Sequence, residues 1–348
     1  MSSMPNTLAW GIIGTGAIAG DFAQALRASR RCSVVSVSGT SREKAEAFAQ
    51  RFELPRAARS LEELLADPGV GAVYVATPHP AHEASAMRAI AAGKHVLCEK
   101  PLTVDAGSSA RLIEAARMQG VFLLEAYMYR SHPIMERLLS ALNEGAIGTV
   151  RHVSADFTFR AERDPKGRLF DPAQAGGGIL DVGGYPMSFA RLLAGLRESK
   201  PFAEPTSLQA SGIIGPTGVD EHAAALLEFQ SGMTASISCG IHGEIGRAAR
   251  IAGDAGHIQF DAPWTPQGGR HGLRNSFVIH RAGARPETVS VECDKATYAI
   301  QAELVLDSLP AQEAAWPAMT WADTLGNMRA LEAWRAAVDR RAIKLDQA

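Results

Sequence analysis

The chain has 348 residues, 46% hydrophobic and 21% charged, and its 35 lysines and arginines against 37 aspartates and glutamates leave a formal net charge of −2. This length suits two domains with full cores, and the balanced charge gives no basis for binding nucleic acid or an anionic membrane. No apolar run reaches the roughly 18 residues of a membrane span, MSSMPNTLAW lacks the flanks of a signal peptide, and Cys32, Cys98, Cys239 and Cys293 form no C-x-x-C, so no disulfide framework, no metal and a reducing cytoplasm are expected.

Taken in chain order, the first third alternates short apolar runs with helical spacing. Strands are expected at 8–13, 33–38, 70–76, 95–98 and 121–125, and helices at 17–29, 42–51, 60–66, 80–92 and 105–119. Ser60 reads as an N-cap, Pro80 as a first-turn proline and Gly93 as a helix stop. Strands that are apolar throughout and alternate with helices predict a doubly wound parallel sheet, an α/β Rossmann domain over 1–126. After Arg130 the rhythm changes. A helix at 133–143, a strand at 149–160 and a helix at 179–193 precede three hairpins within 226–238, 250–260 and 276–292, and helices return at 296–309 and 321–340. Grouped strands with helices to one side predict an α+β domain over 127–348 with a large, mostly antiparallel sheet.

The first strand runs into Gly14-Thr15-Gly16-Ala17-Ile18-Ala19, a G-x-G-x-x-A loop that opens a helix. Gly14 permits a tight turn, Gly16 lets the backbone approach a pyrophosphate, and Ala19 keeps the helix near the sheet. Phosphates then meet free N–H groups at the helix N-terminus. The second strand ends in Ser38-Gly39-Thr40-Ser41-Arg42 with no carboxylate for ribose hydroxyls. An arginine there pairs with a 2′-phosphate. NADP(H) is therefore favoured, with NAD(H) the alternative, in which Arg42 is a solvated first-turn residue.

Glu99-Lys100-Pro101 lies just past the 95–98 strand, on the sheet edge where ligands of parallel sheets bind. Together with WGIIGTGAIAGDF (10–22), VYVATPHPAHEASAMRAIAAGKHVLCEKPLT (73–103), EAYMYRSHP (125–133) and GRLFDPAQAGGGILDVGGYPMSFARLLAG (167–195), the chain resembles the glucose–fructose oxidoreductase / inositol dehydrogenase / rhizopine-catabolism family of nicotinamide-dependent oxidoreductases. The family's E-K-P motif falls on Glu99, Lys100 and Pro101, and its second, glycine-rich motif on Gly176–Gly178, Leu180, Asp181, Gly183 and Tyr185. Tyrosine at the last position resembles the dimeric dihydrodiol dehydrogenases and related aldose dehydrogenases, and makes an inositol substrate less expected. The resemblance implies a hydride exchanged with a CH–OH or C=O group of a small sugar, polyol or vicinal diol. It also implies an open-faced second sheet that forms a homodimer or homotetramer. The rival implications are a sugar hydrolase or isomerase with a retained coenzyme, and a non-catalytic dinucleotide sensor.

Residue chemistry agrees with a dehydrogenase. Hydride transfer to or from a carbinol carbon needs a proton to move at its oxygen. A tyrosine of ordinary pKa (~10) does this poorly at neutral pH, and a nearby ammonium lowers that pKa. Tyr185 is then the expected proton carrier and Lys100 the group that tunes it and binds the substrate oxygen. Asp181, one helical turn before Tyr185, orients Lys100 or binds a hydroxyl. The reverse assignment, with Lys100 carrying the proton, stays open. The three glycines are expected to let the helix approach the coenzyme. Thr77, Pro78, His79 and Glu99 are expected beside the coenzyme, and Tyr129, Arg130 and Arg168 beside the substrate. His222, Trp321 and Asp323 carry no assignment.

Overall fold

The computed structural model describes residues 6–244, 246–341 and 343–344. Five strands, β1 (Leu8–Ile13), β2 (Cys32–Ser38), β3 (Ala72–Val75), β4 (His95–Cys98) and β5 (Leu123–Glu125), form a parallel sheet in the order β2-β1-β3-β4-β5. Their side chains alternate between two cores. Trp10, Ile12, Tyr74, Leu97 and Leu124 enter one, while Ile13, Val73, Val75, Val96 and Leu123 enter the other. Both faces are thus dry, which is why these strands read as unbroken apolar runs. The order reverses between β1 and β3, and such a switch point opens a crevice at the strands' carboxyl ends.

The helices between these strands are α1 (Ala17–Leu26), α2 (Arg42–Phe52), α3 (Leu61–Ala66), α4 (His82–Ala91) and α5 (Ala106–Gln119). Ser41, Ser60 and Asp105 cap α2, α3 and α5 by accepting the N–H groups of Lys44, Glu63 and Ser108, each satisfying an otherwise unpaired donor. Helix α1 stops at Leu26 rather than running to Ser29, because the Ser29 hydroxyl turns to accept the N–H groups of Arg31 and Cys32. The expected helix at 80–92 begins instead with a short 3-10 turn, His79–Ala81, where Pro80 has no N–H to give.

Helix α6 (Pro133–Asn143) leads to the second sheet. It comprises β6 (Val150–Thr158), β7 (Ser207–Ile214), β8 (Asp220–Glu228), β9 (Thr234–Gly240), β10 (Ala249–Gly253), β11 (Gly256–Phe260), β12 (Arg274–Arg281), β13 (Glu287–Glu292) and the two-residue β14 (Ile343–Lys344). The order is β13-β12-β11-β10-β6-β9-β8-β7-β14, antiparallel except for the β6–β9 and β7–β14 pairs. Strand β7 is absent from the expected elements, because SLQASGII is rich in small residues and carries little hydrophobic alternation. Helix α7 (Gly184–Arg197) covers one face with the long α9 (Trp321–Arg341). The other face is bare and shows Gln209, Ser211, Ala224, Leu226 and Arg250.

The chain's last helices return to the first sheet. Helix α8 (Thr297–Ser308) packs on α1, and α9 on α5. The Ser29 hydroxyl donates to Glu303 at 2.7 Å, and the Trp321 indole to the Leu123 carbonyl at 2.9 Å. Among the described residues, no helix is long and apolar enough to cross a membrane.

Candidate active site

The glycine loop sits at the switch point. Gly14 has φ 116°, and a Cβ there would lie 2.5 Å from the Ala76 carbonyl oxygen, so only glycine lets β1 finish against the end of β3. Gly16 opens α1 with no side-chain cap, and a Cβ on it would meet nothing within 4 Å. The N–H groups of Ala17 and Ile18, in the first turn that follows, have no intrahelical partners. Beside them the Thr77 hydroxyl is buried with no hydrogen-bond partner. An uncapped helix N-terminus, an open approach and an orphaned hydroxyl fit a dinucleotide's phosphates. At the end of β2, Ser41 is occupied as the α2 cap, and Arg42 donates to Glu46 at 2.7 Å on the surface. Lys44, which the sequence reading passed over, reaches the Thr40 hydroxyl at 3.4 Å on the same turn.

Lys100 leaves the end of β4 and crosses to the second unit. Its ammonium donates to the Asp181 carbonyl at 2.5 Å, lies 3.5 Å from Asp181 Oδ1 and stands 5.5 Å from the centre of the Tyr185 ring. Arg168 donates to the same Oδ1 at 2.9 Å. Burial by itself would raise the Asp181 carboxyl, but the Lys100 and Arg168 charges hold it well below the usual carboxylate range. Glu99 is buried and accepts the Tyr74 hydroxyl at 2.5 Å. His79 is pushed down to about 3 by burial and by Lys100, so its imidazole is neutral; it lies 3.4 Å from the Ala175 carbonyl.

Tyr185 stands at the start of α7, ringed by Tyr127, Tyr129, Phe157 and Trp264 at centroid distances of 5.0 to 5.9 Å. Burial in this shell, and then the Glu99 charge, raise its phenol above the ordinary value. This overturns the expectation that Lys100 lowers it. The ammonium faces the ring, a cation–π contact, while its hydrogen bond goes to Asp181.

The expected single helix at 179–193 is also corrected. It opens with a π-turn, Ile179–Gly183, before α7 begins, so Asp181 and Tyr185 are not related by a plain α-helical turn. The Asp220 carboxylate, on β8, accepts the Ile179 N–H at 2.7 Å and pins this turn. Each glycine of the triplet makes room for protein. A Cβ on Gly176 would strike the Leu169 carbonyl and one on Gly177 the Asp220 carboxylate, while one on Gly178 would crowd the Gly240 backbone at 3.2 Å.

Two expected substrate residues are not in the crevice. Arg130 is fully buried, donating to Asp323 at 2.8 Å and to the Pro317 carbonyl at 2.5 Å. Tyr129 is buried with its hydroxyl 2.7 Å from that of Ser188. Both lie behind Tyr185, where a YMYR run reads as polar but packs as core. The sequence reading missed the aromatic shell, Asp220, and His82, whose ring spans the Thr77 and Pro101 carbonyls at 2.9 and 2.8 Å. Only the placement of His82 in TPHPAH, between two sheet-edge segments, hinted at it.

Comparison with known proteins agrees with this geometry. Residues 8–127 match the family described as "Oxidoreductase family, NAD-binding Rossmann fold", and residues 135–259 match the GFO/IDH/MocA C-terminal domain. The chain is 40% identical over 261 residues to the trans-1,2-dihydrobenzene-1,2-diol dehydrogenase of Mus musculus, covering 74% of this chain and 76% of that one. The Homo sapiens protein of the same name is 36% identical over 262 residues, covering 74% and 76%. Among solved structures, a 3-ketoreductase from Actinomadura kijaniata in complex with NADP and TDP-benzene superposes with a TM-score of 0.83 at 26% identity, over 98% of this chain and 100% of that one. An aldose-aldose oxidoreductase from Caulobacter crescentus shares the fold, with a TM-score of 0.84 at 23% identity over 96% and 98%.

Proposed function

The chain belongs to the GFO/IDH/MocA family of oxidoreductases, and from that premise we propose that it exchanges a hydride between NADP(H) and a CH–OH or C=O group of a small vicinal diol, polyol or sugar. The observation that carries this reading is the meeting of Lys100, Asp181 and Tyr185 beside the carboxyl ends of β3 and β4. The diol dehydrogenases and the NADP-bound 3-ketoreductase support the substrate class and the coenzyme. In this reading residues 1–126 bind the dinucleotide through Gly14, Gly16, Ala17, Ile18 and Thr77, with Pro78, His79 and Glu99 alongside, and residues 127–348 hold the substrate. The bound coenzyme supplies or accepts the hydride.

The chain's own residues manage the proton. The Tyr185 phenol stays protonated at neutral pH and so holds the proton that the oxygen of a carbonyl takes up on reduction, but its raised value makes it a weak acid, and the transfer depends on the Lys100 charge at the same oxygen. Lys100, steered by Asp181, hydrogen-bonds that same oxygen and stabilises its developing negative charge. Arg168 keeps Asp181 ionised and leaves about half of its own side chain exposed to meet substrate hydroxyls. Trp264 and Phe157 keep water from the phenol.

A panel of trans-vicinal diols, polyols and aldoses, each offered with NADP⁺ and with NAD⁺, tests the reading through the absorbance of the reduced nicotinamide. Reduction of NADP⁺ by at least one diol or sugar is the expected result. Dinucleotide binding without turnover across the panel would make the chain a sensor instead. Arg42→Ala should raise KM for NADP⁺ by about tenfold or more, the worth of a charge-assisted phosphate contact, and leave KM for NAD⁺ unchanged. Equal effects on both would remove Arg42 from the 2′-phosphate. The bare face of the second sheet, which exposes Leu226 and Ile213, is the proposed contact of a homodimer or homotetramer, and light scattering of the purified chain measures it.

A further inference from the structure

Between β11 and β12 the chain makes an excursion that the chemistry above does not use. Gly268 and Gly269 adopt φ 87° and 85°, a left-handed pair that only glycine takes readily. They deliver Arg270 and His271 onto Asp21 of α1, some 250 positions earlier in the chain. Arg270 Nη1 donates to Asp21 Oδ2 at 3.1 Å, and His271 Nε2 lies 3.3 Å from Oδ1. Gly272 completes the turn, and a Cβ on it would strike the Gln267 carbonyl.

The position of Asp21 gives this contact meaning. It stands on the helix that begins at Gly16, just past the N–H groups suited to the dinucleotide. The loop starts from the other side of the crevice, a few residues after Trp264 of the shell around Tyr185. The Arg270 charge also bears on the Tyr185 phenol and opposes its rise. The contact therefore spans the crevice mouth from the glycine-loop helix to the Tyr185 side. All three side chains keep solvent exposure. Such screened pairs are weak, so the contact can open without cost to the cores. The fixed links between the units lie elsewhere, at Ser29–Glu303 and Trp321–Leu123.

We propose that residues 267–272 form a latch that closes on Asp21 and slows the departure of a dinucleotide bound at Gly14–Ile18. The proposal rests on the dinucleotide-binding reading and adds to it the residues that govern release. In the closed form Arg270 and His271 share the Asp21 carboxylate. In the open form both contacts break and the loop swings about Gly268 and Gly269.

Stopped-flow fluorescence of NADPH release from the whole chain tests this, with Asp21→Asn and Arg270→Ala. Release should accelerate about tenfold in each, with association little changed. The Asp21→Asn result is the discriminating one. Without a latch, removing a carboxylate near an anionic ligand should slow release, by simple Coulomb attraction, and would also free Arg270 to hold a phosphate. Faster release from Asp21→Asn supports the latch, and so does recovery of slow release in the swapped pair Asp21→Arg with Arg270→Asp. Unchanged or slower release from Asp21→Asn overturns it. A wild-type chain that binds neither NADPH nor NADH would overturn the dinucleotide reading and the latch together, whereas binding with unaltered release in the variants overturns the latch alone.

Discussion

Lys100→Met and Tyr185→Phe should each lower kcat by about 10²–10⁴-fold, the usual contribution of a positioned proton-transfer group, while NADPH still binds. Each substitution is nearly volume-conserving. Methionine keeps the length of the lysine stem but removes the ammonium that donates to the Asp181 carbonyl. Phenylalanine keeps the ring that packs on Tyr127, Phe157 and Trp264 and removes only the hydroxyl. The fold should survive both changes, so a loss of rate reports chemistry. Oxidation and reduction share one transition state, so each variant should lower kcat/KM by the same factor in both directions: Tyr185 gives the proton in reduction and takes it in oxidation, and Lys100 bears on the substrate oxygen whichever way hydride moves. Turnover at the wild-type rate in either variant would remove that residue from the mechanism.

Asp323→Ala should destabilise the fold by about 3–5 kcal/mol, the cost of leaving buried charge without its partner. Asp323 joins two arginines whose side chains have no solvent exposure: Oδ2 accepts from Arg130 at 2.8 Å and Oδ1 from Arg191 at 2.5 Å. Glu204 also pairs with Arg191 at 2.6 Å, but it is half exposed and makes no bond to Arg130. Removing Asp323 therefore leaves the buried Arg130 guanidinium with carbonyl partners only, Pro317 and Ser188, and no counter-ion. For a chain of this size the shift in Tm should be on the order of 10 °C, read by thermal denaturation. The damage should reach the active site as well, since Arg191 lies on α7, which begins at Gly184 beside Tyr185, and Arg130 reaches the Ser188 carbonyl at 3.4 Å. A change in Tm of only a degree or two would show that water or Glu204 compensates the arginines.

Local rules made much of this molecule legible. The G-x-G-x-x-A loop, the serine caps and the unbroken apolar strands each depend on neighbours within a few residues, and the first sheet follows from them. The second sheet was harder to read. Strand β7 is built of small residues, and the parallel pairing of β6 with β9 joins segments whose partners lie some 80 positions apart. The YMYR run misled for a related reason. Its polarity suggested a pocket, yet Asp323, a remote residue without assignment, turns Arg130 into core.

By itself the sequence determined which groups are proposed to carry the chemistry: an ammonium at the end of β4, a phenol near the start of α7, and a glycine turn suited to phosphate. These are residue types at short spacings, and short spacings are fixed by backbone geometry. Tertiary structure decided what those groups experience. The aromatic shell that raises Tyr185, the Asp181 carbonyl that holds Lys100, and the reach of Arg270 to Asp21 all join distant segments. Burial and charge act through space, so the electrostatic state of the site could be read only once the chain had closed on itself.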